Sequence, residues 1–432
     1  MYLLFVALIA TIPVSYLIVD WKGLYVSTLG YQSLYTISLH KQSLNGDVDA
    51  MYLMAENYDN GWNGLEIDYK KARYWFQKAS DNGHEEATNS LALMYRNGEG
   101  VEQDYGRAVS LFNKAISLGS LYAYSNLGAM YRNGEGVDQD YKKAFALFKT
   151  CTDKSTINTS CFGNLGWMYN DGLGTEQNFD KAFYSWLTAA KQGDASAQFQ
   201  IGYFYDVGKG HIEKDRVKAL EWYKKSASQD YAEAQRFIGY IYLDGIDGIS
   251  EDYLKAGEYF YLSAKNGSSE SRKIIEFYVK KCSNNVEHFI IQYDFKSCSL
   301  AAFSGNPNAS HAVGGFYLSG KYQGGVDAKQ AVEWYRKSAL QGYSIAQFHL
   351  AYLYDKGQGA QRSVVKAYVW VDLAIRSNDL PPSFQKSATK LKSSLVSEMT
   401  DTDKQDAEIL INKTILLLDL KQNLNSVEKY NE

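Results

Sequence analysis

Apolar and polar positions along this chain alternate between two patterns, each with the period of an α-helix. In the first, an aliphatic residue precedes a small one and a tyrosine follows four places on, as in Leu127-Gly128-Ala129-Met130-Tyr131. Residues four apart share a helix face, and the small residue allows a second helix to approach closely. In the second pattern, exemplified by residues 141–148, small and aromatic residues recur at helical spacing while lysines fall on the polar side. Together the two patterns predict pairs of packed helices.

Glycines and aspartates mark the predicted helix ends. Glycine three residues after each tyrosine can adopt the left-handed conformation that terminates a helix. These glycines recur at intervals of 36 to 38 residues: Gly98, Gly134, Gly172 and Gly208. Aspartates before the second helix are suited to cap its N-terminus: Asp104, Asp140 and Asp215. The repeating unit is therefore a helix-turn-helix hairpin, which needs its neighbours to bury its apolar face.

The repeat extends from Gly46 to about Ser377. Its units are identified by one tyrosine each: Tyr58, Tyr95, Tyr131, Tyr169, Tyr205, Tyr242, Tyr278, Tyr317 and Tyr354. The seventh unit, at Tyr278, is degenerate. The sequence thus predicts an all-α fold, a right-handed superhelical α/α solenoid of about nine helix-turn-helix repeats with capping helices.

The predicted domain limits are an N-terminal signal or anchor at 1–22, a leading cap helix at 23–45, the solenoid at 46–377 and C-terminal capping helices at 378–432. We expect apolar residues of the last segment to cover the exposed edge of the solenoid: Leu391, Leu395, Met399, Ile409, Leu416, Leu417 and Leu420.

The run from Tyr2 to Val19 contains no charged residue, which approaches the length of a membrane-spanning helix. A cleavable signal peptide needs a basic stretch before the apolar run and small residues at the cut site, and neither is obvious here. The interpretation favoured is an uncleaved inner-membrane anchor at residues 2–19. Export after cleavage, or a buried helix of the solenoid, remain as alternatives.

Charge and motifs favour a binding protein over an enzyme. Lys plus Arg number 45 and Asp plus Glu 49, a balance that argues against a nucleic-acid partner. The segment Gly315–Lys321 nearly matches a phosphate-binding loop, but Tyr322 stands where that loop needs Ser or Thr. The six histidines form no zinc-protease pattern. We expect no catalytic residue, no metal and no cofactor.

The four cysteines fall into two local pairs where the repeat is irregular: Cys151 with Cys161, and Cys282 with Cys298. Disulfides at these positions would each contribute roughly 3 kcal/mol by closing a short loop, and would indicate an oxidising compartment. With the apolar N-terminus, this favours the periplasm, with the endoplasmic reticulum as the minor alternative. Four buried free thiols are the competing interpretation.

Residues Tyr131–Val137 and Lys329–Gly342 closely match the motif of the Sel-one-like repeat (SLR) family, relatives of tetratricopeptide repeats, and the resemblance covers about residues 46–377. It implies a non-enzymatic protein-binding solenoid in the bacterial envelope. Members are scaffolds, adaptors and inhibitors, including immunity proteins that neutralise phospholipase effectors of type VI secretion. The implied partner is another protein, either such an effector or an envelope component, and the alternative function is a periplasmic scaffold or signalling adaptor.

The resemblance to tetratricopeptide repeats also implies which first-helix positions face a concave groove. Aromatic residues occupy several of them: Trp167, Tyr203, Tyr240, Phe199, Phe348 and Tyr352. Acidic residues follow them: Asp171, Asp206, Asp244 and Asp355. An aromatic stripe bordered by acids resembles a protein-binding hot spot. Packing of these rings between helices is the alternative interpretation.

Overall fold

A computed structural model describes residues 34–430 apart from 156, 247, 284–293 and 322–323. The chain divides into two compact units, Met1–Glu213 and Lys214–Glu432. In the described ranges the regular structure is helical and forms successive helix-turn-helix pairs, with one isolated bridge between Ile246 and Ile249. The predicted all-α solenoid of helical hairpins is therefore confirmed.

The described part of the first unit contains ten helices, and helices that follow one another pack together. They are α1 (Leu34–Leu44), α2 (Val48–Asn60), α3 (Tyr69–Asp81), α4 (Glu85–Asn97), α5 (Tyr105–Leu118), α6 (Tyr122–Asn133), α7 (Tyr141–Lys154), α8 (Thr159–Asp171), α9 (Phe179–Lys191) and α10 (Ala195–Val207).

The described part of the second unit contains eleven α-helices and the short 3-10 helix Ala302–Ser304. The α-helices are α11 (Arg216–Ala227), α12 (Ala232–Asp244), α13 (Tyr253–Lys265), α14 (Ser269–Ser283), α15 (Phe295–Ala301), α16 (Pro307–Ser319), α17 (Ala328–Ala339), α18 (Ser344–Lys356), α19 (Val364–Arg376), α20 (Pro382–Glu398) and α21 (Asp401–Tyr430).

Helix ends follow the predicted signals. Gly134 ends α6 in the left-handed conformation, with φ of 74°, and donates its N–H to the carbonyl of Met130. The carboxylate of Asp140 accepts a hydrogen bond from the backbone N–H of Lys143 and caps α7. Asp104 and Asp215 cap α5 and α11 in the same way, so all three predicted caps are confirmed. A cap of this kind stabilises a helix by about 1 kcal/mol.

Within a hairpin, the small residue of the first helix lies directly under an aromatic ring of the second. A Cβ added to Gly128 would lie 2.6 Å from the ring of Phe148, and one added to Gly166 would lie 2.5 Å from the indole nitrogen of Trp186. Any larger side chain would separate the two helices. This contact confirms the predicted role of the small residue and fixes the geometry of each hairpin.

Between hairpins, the second glycine in the turn of one hairpin contacts the start of the second helix of the preceding hairpin. A Cβ on Gly136 would lie 2.2 Å from Cβ of Tyr105, at the start of α5. A Cβ on Gly359 would lie 2.0 Å from the carbonyl oxygen of Ala328, at the start of α17. These glycines therefore set how closely one hairpin stacks on the next.

We expect Gly359→Ala to lower the free energy of unfolding by about 2 kcal/mol or more, because the methyl group collides with backbone and the residue has φ of 76°. Gly342→Ala is the matched control. Its φ is 85° but no atom lies within 4 Å of the added Cβ, so only the left-handed strain of about 1 kcal/mol applies. Equal losses in urea denaturation of the two variants would contradict the stacking role.

The seventh unit departs from this pattern, as the sequence indicates. Ile275 stands where other first helices carry Gly or Ala, and it is buried. The second helix, α15, has only seven residues and instead approaches α13, where a Cβ on Gly257 would lie 2.8 Å from the carbonyl oxygen of Ser299. A large residue at the small position thus goes with a displaced and shortened second helix.

The C-terminal helices only partly cover the apolar edge. Leu395 and Met399 are buried as expected, and α21 contributes Ala407 and Ile411 to the same core. Four other residues expected to cover the edge are exposed, because they lie outside the face of α21 that packs on the core: Ile409, Leu416, Leu417 and Leu420. The prediction is wrong for these four. The predicted domain limits, including the leading cap, remain predictions.

Candidate protein-binding surfaces

In the first unit, the predicted stripe residues differ in exposure. The ring of Trp167 on α8 is 38% exposed and packs edge-on against Trp186, with the ring centroids 5.2 Å apart. Tyr203 on α10 is half-buried and stacks on Phe199, which is buried. Trp167 therefore offers a partly free ring held firmly at one edge, whereas Phe199 belongs to the core.

In the second unit, too, some of the predicted aromatic residues are exposed and others are buried. Tyr352 on α18 is 46% exposed, with the ammonium of Lys356 5.7 Å from its ring centroid. Tyr240 on α12 is half-buried against Phe260. Phe348 is buried and contacts Phe384. Trp167 and Tyr352 occupy the same repeat position, two residues after the aliphatic residue, and are the most exposed of the six predicted aromatics.

The four acidic residues predicted to border the aromatic stripe differ in exposure. Asp171 and Asp244 are exposed, and Asp206 is half-buried. Asp355 is buried and forms ion pairs with Lys356 at 2.8 Å and Arg362 at 3.6 Å. The charge of Asp355 is therefore matched within the chain.

A groove of about 310 Å³ in the second unit was not predicted. Its lining combines apolar and aromatic side chains with one acid and one base: Tyr240, Leu243, Ile274, Phe277, Tyr278, Glu270 and Lys273. Phe277 precedes the tyrosine of its repeat, a position that is buried in other units, as at Met130 and Phe204, yet Phe277 is 59% exposed. Ile275, a large residue at the position that is small in the other units, marks this unit as irregular and is the sequence signal that could have revealed the exposed ring.

Half-buried carboxylates in the first two hairpins also escaped prediction. Burial raises the pKa of Glu56, and the charge of Asp59 raises it further. Burial likewise raises the pKa of Asp59, with a smaller contribution from Glu99. Burial, followed by the charges of Glu56 and Glu86, raises the pKa of Tyr52 to about 12. The carboxyl groups of Glu56, Asp59 and Glu99 therefore lie close enough together to influence one another.

His311 on α16 and His349 on α18 form a buried pair. Nε2 of His311 lies 2.9 Å from Nδ1 of His349, and the rings stack with centroids 5.1 Å apart. Burial lowers the pKa of His311 to about 3, with a further contribution from His349, and burial lowers the pKa of His349 to about 4. Both rings are therefore neutral at physiological pH and belong to the packing of these repeats.

Both predicted disulfides are present. Cys151 at the end of α7 is bonded to Cys161 in α8, and Cys282 in α14 is bonded to Cys298 in α15. All four sulfurs belong to buried residues. Because disulfides persist outside reducing compartments, these two links indicate a periplasmic or extracellular location.

Among helices in the described part of the chain, none has both the length and the apolar character required to cross a membrane. The predicted anchor at residues 2–19 lies outside the described residues.

Comparison with solved structures finds other repeat proteins. A protective antigen of uropathogenic Escherichia coli with an SLR fold is 29% identical, with 90% of this chain and 82% of that one covered and a TM-score of 0.47. A Sel1 repeat protein from Oxalobacter formigenes is 27% identical over 53% of this chain and 99% of that one, with a TM-score of 0.48. An immunity protein from Pseudomonas aeruginosa is 21% identical over 52% and 83%, with a TM-score of 0.38. No curated protein matches the chain significantly.

The family model of the Sel1 repeat matches eight segments: 48–84, 85–120, 121–150, 164–194, 195–231, 232–268, 307–343 and 344–379. They cover more than half of the chain, and the stretch left between the sixth and seventh matches contains the degenerate unit at Tyr278. Proteins built from this repeat are typically non-enzymatic and bind other proteins. The chain belongs to the Sel1 repeat family.

Proposed function

We propose that this protein is an immunity-type inhibitor of the bacterial envelope, which binds and neutralises a secreted toxic effector of the type VI phospholipase class. It would be held at the inner membrane by residues 2–19, or exported after cleavage of that segment. The observation that carries the proposal is the exposure of Trp167 and Tyr352 at one repeat position of a protein-binding solenoid. The two disulfides suit a compartment that secreted effectors reach.

The chemistry of these residues is that of an interface. Aromatic rings bury a large area on binding while losing few rotamers, and such residues dominate binding energy in many interfaces. Trp167 is already fixed along one edge by Trp186, so little further ordering is needed. The half-buried carboxyl groups of Glu56, Asp59 and Glu86 favour a partner that presents lysine or arginine, which would also speed its association.

Trp167→Ala and Tyr352→Ala should each weaken partner binding about thirtyfold, equivalent to roughly 2 kcal/mol, while the melting temperature changes little. The matched control is Tyr184→Ala, because Tyr184 is an exposed ring on the second helix of its hairpin. Unchanged affinity in folded Trp167→Ala and Tyr352→Ala variants would exclude these rings from the interface.

The inhibitor function itself is tested by capturing the partner from native envelopes and identifying it by mass spectrometry. A phospholipase whose hydrolysis of lipid vesicles stops at an equimolar amount of this protein would support the proposal. Capture of an envelope assembly or signalling component, with no hydrolase inhibited, would instead establish the scaffold function.

A further inference from the structure

Asparagine followed directly by glycine occurs seven times in this chain. This dipeptide is prone to deamidation, because glycine has no side chain to keep its backbone nitrogen from attacking the amide carbon of the asparagine. The nitrogen attacks in its deprotonated form, so an N–H that is already donated to a carbonyl reacts poorly. The hydrogen bonds at each pair therefore decide which asparagine is modified.

Six of the seven pairs lie at helix ends, where the glycine donates its N–H to a carbonyl of the preceding helix. These glycines are Gly46, Gly61, Gly83, Gly98, Gly134 and Gly267. At Gly134 the nitrogen lies 2.8 Å from the carbonyl oxygen of Met130, whereas the longest of the six bonds, from Gly46 to Ser43, measures 3.3 Å. Such bonds satisfy carbonyls at the end of a helix. They also hold the asparagine in place and protect these six pairs.

The seventh pair, Asn63 and Gly64, lies in the turn between α2 and α3. Gly64 is exposed, and its N–H donates to no other group within the described part of the chain. Asn63 has a φ of 54°, which no right-handed helix contains. Nδ2 of Asn63 donates to Oδ1 of the buried Asn57 at 2.9 Å. The attacking nitrogen is thus free, and a hydrogen-bond acceptor lies beside the nitrogen that leaves.

We propose that Asn63 is a deamidation site. The deprotonated backbone nitrogen of Gly64 attacks Cγ of Asn63 and closes a five-membered succinimide ring. The bond from Cγ to Nδ2 breaks, Nδ2 takes up a proton from water in place of the one that Gly64 gave up, and ammonia leaves. Water then opens the ring at either carbonyl and leaves aspartate or isoaspartate at position 63. Oδ1 of Asn57 assists, because its hydrogen bond strengthens as Nδ2 becomes positively charged.

Position 63 joins α1 to the first hairpin of the repeat. The hydroxyl of Thr36 on α1 donates to the backbone carbonyl of Asn63 at 2.8 Å, and Thr36 is buried. In isoaspartate the main chain runs through Cγ, which lengthens the turn by one atom, and the carbonyl next to Cα becomes a free carboxylate. A charge beside the buried Thr36 is unfavourable, and the added atom displaces the turn. Deamidation therefore loosens α1 from the solenoid.

Peptide mapping of the full chain during incubation in mildly alkaline buffer tests the site. Asn63 should convert to the acid at least about tenfold faster than Asn45 or Asn133, a ratio that corresponds to about 1.4 kcal/mol of activation free energy. In protein unfolded by urea the three should react at similar rates, because the hydrogen bonds at the helix ends are lost. Faster conversion of Asn45 or Asn133, equal rates in the folded chain, or no conversion of Asn63 would each overturn the proposal.

Asn63→Gly tests the consequence for α1. Glycine adopts a φ of 54° freely and keeps the carbonyl that accepts from Thr36, but it has no amide to lose. During the same incubation, hydrogen exchange in peptides of α1 should rise in wild type, in step with isoaspartate detected by methyltransferase labelling. It should not change with time in Asn63→Gly. An equal rise in both proteins would show that α1 loosens for another reason and would overturn the assigned role.

Asn97→Gln is the matched control, because it removes one of the protected pairs and leaves the turn at position 63 intact. Peptides of α1 in this variant should lose protection with the same time course as in wild type. A slower loss would show that reaction at a helix end loosens α1, and would contradict the assignment to Asn63. None of these measurements involves a partner protein, so the deamidation site can fail while the inhibitor function stands.

Discussion

Lowering the pH from neutral to about 5 should destabilise the second unit by about 4 kcal/mol, because His311 and His349 are buried as neutral rings. Their pKa values in the folded protein, about 3 and about 4, lie below the 6.5 of an exposed histidine. As the pH falls, the unfolded chain therefore binds protons first. Each ring accounts for about 2 kcal/mol at about pH 5. The loss begins near pH 6.5 and continues to about pH 4 for His349 and about pH 3 for His311.

Hydrogen exchange measures this effect best, since repeat arrays can open one part at a time. Peptides of α16 and α18 should lose protection on acidification after correction for the intrinsic exchange rate. The double variant His311→Phe with His349→Phe removes both partners of one hydrogen bond and fills a similar volume, so it should fold and show a much flatter pH profile. His211→Phe is the control, because His211 is exposed. A double variant as acid-sensitive as wild type would contradict the assignment.

Replacing Cys282 and Cys298 with alanine should lower the free energy of unfolding by about 3 kcal/mol, the loop entropy of a link spanning 16 residues. The seventh unit should respond most, because α15 has only seven residues and its hairpin lacks the small residue that admits a second helix elsewhere. Hydrogen exchange should rise in peptides of α14 and α15.

The corresponding variant at Cys151 and Cys161 serves as the control for this prediction. Its effect should be confined to the junction of α7 and α8, which are full-length helices with their own packing. Protection of α14 and α15 that survives loss of Cys282–Cys298 would show that packing alone orders the seventh unit.

The hairpins and disulfides were predictable because local rules determine them. A small residue beside an aliphatic one, as at Gly128, and a glycine three residues after a tyrosine, as at Gly134, each impose one geometry wherever they occur. The cysteine pairs followed for a similar reason, since each lies within one irregular segment. Such features need no knowledge of distant residues.

Exposure was harder to predict because it depends on neighbouring side chains. Trp167 and Tyr240 share a repeat position, yet Trp167 is more exposed, because Trp186 covers only one edge of it whereas Tyr240 is enclosed by Phe237 and Phe260. The exposure of apolar residues on α21 was missed because hydrophobicity alone does not distinguish a covered side from an uncovered one. The histidine pair was detectable in principle, since the separation of 38 residues equals one repeat.

Contacts between helices in each unit join elements that are neighbours or near neighbours in the chain. The sequence separation of contacting residues is consequently small, and proteins of this kind fold quickly, because little loop entropy is lost before stabilising contacts form. The same locality guides oxidation. Four cysteines permit three pairings, but ring closure over 10 or 16 residues is entropically easier than closure over the much longer segments that the other two require. Each native disulfide can therefore form from its own short segment, without waiting for the rest of the chain to fold.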